Sequence, residues 1–253
     1  MENYLNRSNY SLLSKLPIII VINGRGFSKS TQLLTKPFDS AFDQCMTSTM
    51  LQLCLQVEGA TFAYHINDEI ILMARNDQTN DTACWYNGHI QKIASITSSI
   101  ATLHFNECVS KLQLNMTGDC LFTSQVFEVP NIAEGINAFI YKQQQNAYLS
   151  IQSACLYSLL TKHNKDTIKE MLAGLTNDEK IDLLWQECQI NFNDYPLAFK
   201  RGSAAYKVPK LIDGAMKNKW HLNDELPIFT KSQSFLQNIF RMGSDIFGQE
   251  DIE

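Results

Sequence analysis

The spacing of hydrophobic positions changes several times along the chain, and each change marks an element. Pro17 to Ile22 is an unbroken apolar run that stops at Asn23-Gly24-Arg25-Gly26-Phe27. A run of that kind is a strand buried on both faces, and glycine at its end bares the backbone. Phe38, Phe42, Met46, Met50, Leu53 and Val57 recur at three- and four-residue spacing, which predicts an amphipathic helix that Gly59 helps to stop. Thr61 to Ile66 and Ile70 to Met73 flank Asn67-Asp68-Glu69, the pattern of a hairpin. Ile90, Ile93, Thr97, Ile100 and His104 form a second helical stripe that leaves Lys92, Ser95 and Ser99 on an adjoining face. Phe122 to Val129 completes a sheet, and Pro130 ends it.

After Pro130 the spacing turns helical, through Ile136, Ile140, Gln143 and Leu149 to Leu160. Shorter helices follow over 165–175 and 179–189, with Thr176-Asn177-Asp178 as the cap between them. The order is therefore strand, helix, hairpin, helix, strand and then a mainly helical second half. This predicts an α+β fold with a sheet core over 1–130 and a helical extension over 131–253. The boundary is nominal, because no repeat or long linker separates the halves.

Composition adds exclusions. At 253 residues, 45% hydrophobic and 19% charged, the chain is a globular protein with enough length for a sizeable core. Met1 to Arg7 lacks the basic end and apolar core of a signal peptide, and no apolar run reaches membrane-spanning length. The expected location is the cytoplasm, with no membrane partner. Seven cysteines are odd in number and contain no Cys-x-x-Cys pair, which supports neither a zinc ribbon nor a secreted disulfide framework. His104 and Cys108 read as a satisfied core histidine beside a buried thiol.

The net charge of −5 argues against binding nucleic acid by bulk positive field. Locally the balance reverses. Lys200, Arg201, Lys207, Lys210, Lys217 and Lys219 stand against Asp213 alone, with Tyr206 and Trp220 interleaved, which suits a phosphate backbone and an exposed base. A solvated charged face over core aromatics fits the same composition.

The hairpin and the glycine-ended strand hold the candidate chemistry. Mg²⁺ takes oxygen ligands and shares them among one or two carboxylates, water and substrate phosphates. Asp68 is the leading ligand, the Gly24 carbonyl a second, and Glu69 an auxiliary; an ordinary polar turn is the commoner use of Asn67-Asp68.

These segments resemble the tRNA-His guanylyltransferase family, and more closely its tRNA-repairing branch of 3′ to 5′ polymerases. The likeness is carried by Gly24-Arg25-Gly26-Phe27, Asp68-Glu69, Lys92 to Ser99, Phe139 to Gln143 and Asn191 to Ser203, five segments in order. There are departures on polar positions. The family's first-strand Asp, a metal ligand, is Asn23; its Trp-Arg-Gln is Tyr141-Lys142-Gln143; and Gln125 and Asn146 replace charged residues.

The resemblance implies a polymerase-like palm, an antiparallel sheet with helices on one face, and two Mg²⁺ ions. ATP or GTP would activate a tRNA 5′ phosphate, which the 3′-hydroxyl of an incoming nucleotide then attacks. It implies metal contacts at Asn23, Gly24 and Asp68 with Glu69 in support. Nucleotide contacts fall at Gly24, Arg25, Gly26, Phe27, Ser28 and Asn67, and phosphate contacts at Lys92, Ser95 and Ser99. Lys142, Gln143, Lys200 and Arg201 would serve a second nucleotide or the RNA, within a homotetramer. Three readings stand: an active 5′-end polymerase, a silent relative that binds tRNA or pairs with an active partner, and a nucleotide cyclase on a similar palm.

Overall fold

The computed structural model describes residues 4, 7, 9–79, 81–212 and 215–242. Strand β1 (Ile18–Arg25) lies inside the sheet, with a neighbour on each side, and its first five residues are buried. A short helix, α1 (Phe27–Ser30), follows, then α2 (Ser40–Gln56), the hairpin β2 (Ala60–Ile66) and β3 (Glu69–Ala74), helix α3 (Ile90–Leu112) and strand β4 (Leu121–Glu128). The predicted order over the first 130 residues is the observed one.

Local chemistry sets the boundaries. Asp39 caps α2 by accepting from the Phe42 N–H at 2.9 Å, a contact generally worth about 1 kcal/mol. Gly59 turns the chain into β2 at φ +77°, and a Cβ there would lie 2.7 Å from the Arg75 carbonyl oxygen, so only glycine fits.

All six strands pair antiparallel in the order β4-β1-β3-β2-β5-β6. Alternate residues of β1 feed two cores. Ile18, Ile20 and Ile22 meet Met46, Met50 and Leu53 of α2 and Ile93, Ala101 and Phe105 of α3. Ile19 and Val21 face the other side, with Ile136 and Phe139 of α4 (Ile132–Leu159), Phe229, and Leu236 and Phe240 of α8 (Gln233–Met242). The palm's own helices thus lie on one face, as expected, and the extension covers the other.

The extension is helical over α4, α5 (Lys165–Leu172), α6 (Asn177–Cys188) and α7 (Leu197–Arg201). Thr176 caps α6 in a reciprocal box with Glu179. The second half of α4 runs past the sheet and builds a third core from Ile151, Cys155, Leu159, Ile168, Leu172 and Leu184. The extension also supplies two strands that the spacing did not predict, β5 (Ser203–Ile212) and β6 (Ala215–Asn223). The basic segment is therefore the end of α7 followed by a hairpin, and β5 pairs directly with β2 from Phe62↔Tyr206 to His65↔Ser203. One sheet spans the nominal boundary at 130.

His104 is not a core residue. Its half-buried ring contacts Glu107 at 3.3 Å and the Gln56 amide at 2.9 Å. Among the described residues no helix is long and apolar enough to cross a membrane.

Candidate active site

The end of β1 and the tip of the β2–β3 hairpin are one unit. The Gly24 N–H donates to the Asp68 carbonyl at 2.9 Å, and Asn23 pairs directly with Glu69 across the strands. Asn67 turns the tip at φ +54°, a left-handed value that asparagine tolerates. Gly24 is obligatory for packing, because a Cβ there would sit 2.6 Å from the Phe27 ring. That ring belongs to an aromatic cluster, 5.1 Å from Phe122, 5.3 Å from Phe105 and 6.0 Å from Phe42 between centroids. Phe27 is thus mostly a core residue whose edge reaches the site.

Beside the hairpin tip lies a cleft of about 310 Å³, lined by Phe27, Ser28, Lys36, Asp39, Asp43, Asn67 and Asp68 and closed by Ser153, Tyr157 and Phe199. Small-ligand sites begin at roughly this volume. Phe38 and Phe199 stack across its floor at 5.0 Å and 6°, joining the α2 entry to α7. Burial pushes the Asp68 carboxyl above its ordinary range, against a hydrogen bond from its own backbone, and the neighbouring Glu69 charge adds to the rise. Burial pushes Asp43 up to about 6, helped by Asp224.

Glu69 lies apart from Asp68 although adjacent in sequence. One of its carboxylate oxygens accepts from Lys142 Nζ at 2.6 Å and the other from the Asn146 amide at 3.3 Å. Lys142, expected at RNA or a second nucleotide, is instead committed to Glu69. Gln143, expected in the same role, is buried: it donates to the Arg201 and Pro227 carbonyls and accepts from the Phe229 N–H, so it ties α4 to the end of α7 and to the segment at 227–229. Arg201 donates to the Leu226 carbonyl at 3.1 Å, and Lys200 to that of Asn193. Arg25 and Gly26 are exposed at the strand end.

Lys92, Ser95 and Ser99 do not line the cleft at the hairpin tip. Helix α3 advances toward it: Thr97 donates to Ser124, beside Ile22, and Thr102 accepts from the Phe122 N–H, beside Gly24. Lys92 is ten residues before Thr102, roughly 15 Å back along the helix. Ser95 and Ser99 turn their hydroxyls onto the carbonyls of Lys92 and Ser95. The sequence reading missed Lys36, Asp39, Asp43 and Tyr157. The lysine beside Pro37 and the two carboxylates at a helix start were the available signals.

Among the described residues there is no group of three or more His, Cys, Asp or Glu side chains arranged to hold a metal ion. Asp68 is the hairpin carboxylate that lines the cleft, while Gly24 adjoins it through the backbone bond and Asn23 stands opposite Glu69 as further, neutral donors. Such a donor set suits one hard cation that brings waters and substrate phosphates, and it is thin for a two-ion cage.

An antiparallel sheet with helices on its faces and a ligand-sized cleft at its acidic hairpin defines the class as a polymerase-like palm fold. Comparison with known proteins gives the family. The tRNAHis guanylyltransferase (Thg1) domain matches residues 1–130, and the Thg1 C-terminal domain matches residues 143–248. The chain belongs to the tRNAHis guanylyltransferase family.

Curated relatives include tRNA(His) guanylyltransferase 2 of Arabidopsis thaliana, 26% identical over 75% of this chain but only 35% of that protein. The match thus spans about a third of the plant protein. A probable tRNA(His) guanylyltransferase of Dictyostelium discoideum is 24% identical over 78% of each chain. A bacterial Thg1-like protein solved in complex with ATP superposes with a TM-score of 0.81 at 28% identity, covering 94% of this chain and 96% of that one. A bacterial Thg1-like protein in complex with GTP gives 0.77 at 27%, with the same coverage.

Proposed function

We propose that this chain is a nucleotidyltransferase that adds nucleotides to the 5′ end of tRNA in the 3′ to 5′ direction, as in 5′-end repair. The reading is carried by the cleft at the hairpin tip, where Asp68 and Asn67 meet Ser28, Lys36 and an aromatic floor. It is supported by the likeness to chains bound to ATP and GTP.

The chain's residues divide the work as follows. Phe38 and Phe199 give a flat apolar surface against which a base can pack, and Lys36 offers a cation to phosphates. Asp68 with the oxygens of Asn23 and Gly24 would hold Mg²⁺, which would screen phosphate charge and activate an attacking oxygen. ATP or GTP serves to activate the 5′ phosphate, and the 3′-hydroxyl of the incoming nucleotide then displaces the activating group.

The β5–β6 hairpin is the tRNA-binding arm in this reading. It carries exposed Lys207, Lys210 and Lys219, and the Lys207 ammonium lies over the Trp220 ring at 5.2 Å. Assembly as a homotetramer and a cytoplasmic location belong to the same proposal.

Incubation of the purified chain with labelled GTP or ATP, Mg²⁺ and a 5′-truncated tRNA tests it: the RNA should lengthen at its 5′ end. A silent tRNA-binding relative is the second reading, favoured by neutral Asn23 and by the closure of Glu69 with Lys142. Binding without lengthening would select it. A cyclic nucleotide formed without RNA would select a cyclase.

A further inference from the structure

The hairpin tip is pinned at two adjacent residues, by the backbone of Asp68 and by the side chain of Glu69. On one side the Asp68 carbonyl is held by the Gly24 N–H at 2.9 Å. On the other, both Glu69 oxygens are taken by α4, at 2.6 Å by Lys142 and 3.3 Å by Asn146. The pair is sheltered, with 16% of the Glu69 and 22% of the Lys142 side chain exposed. Lys142 and Asn146 stand one turn apart, and the Asn146 amide also donates to the Lys142 carbonyl at 3.0 Å. Gln143, between them, fastens this turn of the helix to the chain at Arg201, Pro227 and Phe229. The clamp is therefore anchored to a fixed body.

We propose that Lys142 is a positioning residue for the cleft: through Glu69 it holds the Asn67-Asp68 turn against β1 and so aims the Asp68 carboxylate at the bound nucleotide. The proposal rests on reading the cleft as a nucleoside triphosphate site. It gives Glu69 and Lys142 a different task from metal ligation or RNA contact, because each charge is spent on the other. With the side-chain pin removed, only the strand pairing at Asn23 and the Gly24 bond restrain a tip turned by a left-handed Asn67, and the Asp68 carboxylate loses part of its direction. A partly buried ion pair resists such motion better than an exposed one, since each partner left alone is poorly solvated.

The test uses the full chain and four variants: Lys142→Met, Glu69→Gln, the double variant and Lys142→Arg. ATP binding is titrated with Mg²⁺ and with chelator, and amide exchange is followed at Gly24. Each single neutral variant should weaken ATP binding in Mg²⁺ by about tenfold, and the double variant by no more, because the pair acts as a unit. Lys142→Arg should restore binding to within about twofold of the parent chain, its charge being kept. With chelator the variants should bind ATP alike, and the Gly24 amide should exchange faster in both single variants.

Loss in Glu69→Gln without loss in Lys142→Met would overturn the proposal and make Glu69 a direct ligand. Equal losses with and without Mg²⁺ that track a lower melting temperature would overturn it in favour of a purely structural pair. If the parent chain binds no ATP, the triphosphate reading fails separately. Gly24 exchange then decides the clamp: unchanged exchange in Lys142→Met would sink it, and faster exchange would uphold it.

Discussion

The backbone N–H of Gly24 donates to the carbonyl of Asp68 at 2.9 Å, so a strand end and a hairpin turn far apart in sequence move as one piece. This bond uses the Asp68 backbone and leaves its side chain to the cleft. Asp68→Ala should therefore keep the fold while abolishing nucleotide addition to a truncated tRNA, a loss of at least about a hundredfold for removal of the main cation ligand. Melting temperature within a few degrees of the parent chain checks the first half, and the labelled-nucleotide assay the second. Undiminished addition would remove Asp68 from the site.

Asn23 stands directly opposite Glu69. An aspartate there would add a hard anionic oxygen to a donor set with one free carboxylate, and Mg²⁺ affinity should rise by about tenfold. Titration of Asn23→Asp with Mg²⁺, after mass spectrometry has excluded deamidation at Asn23-Gly24, measures this. Unchanged affinity would mean that residue 23 does not contact the cation.

Lys210 and Lys219 are exposed on the β5–β6 hairpin, whereas Lys200 and Arg201 are engaged by nearby carbonyls. Replacing Lys210 and Lys219 by Gln should weaken tRNA binding and flatten its salt dependence by about one unit of slope per phosphate contact. Free ATP should bind as before. Coincident salt slopes for variant and parent would show that the arm is only a solvated face.

His65 is fully buried, and its Nε2 lies 2.8 Å from the Thr47 hydroxyl. Burial lowers its pKa from 6.5 to about 4. Above pH 6.5 both folded and unfolded states carry a neutral ring, and the contribution to stability is full. As pH falls from 6.5 toward 4 the unfolded state takes a proton that the folded state refuses, and stability declines. The loss attributable to this group should be about 2 to 3 kcal/mol. Urea unfolding at pH 7 and pH 4.5 should show a smaller decline in His65→Gln than in the parent chain, and an equal decline would refute the assignment.

The legible parts of the fold were those where burial forces a period. Ile18 to Ile22 and the Met46-Met50-Leu53 stripe admit few readings, and both elements form where the spacing puts them. Thr176 likewise announced a helix start that the structure shows as a reciprocal cap. The β5–β6 hairpin was not legible because its outer strand is nearly all exposed, with lysines and Pro209 along the pair, so no alternation of burial reaches the sequence. At the site, motif and spacing pointed to Gly24 and Asp68 together. They did not show that Glu69 turns to Lys142, or that α3 carries Lys92 away, since both depend on where distant helices dock.

The pairing of β5 with β2 has a consequence for biosynthesis. Strand β2 ends at Ile66, and its second neighbour begins only at Ser203, so roughly 140 residues emerge from the ribosome between them. At translation rates of about 5–20 residues per second, β2 waits for several seconds or longer with one edge unpaired. An open edge at Phe62 to His65 invites pairing with other nascent chains. The second half of the chain thus acts as the seal that closes the palm sheet, and premature termination between residues 130 and 203 would release a protein whose palm half is made but still adhesive.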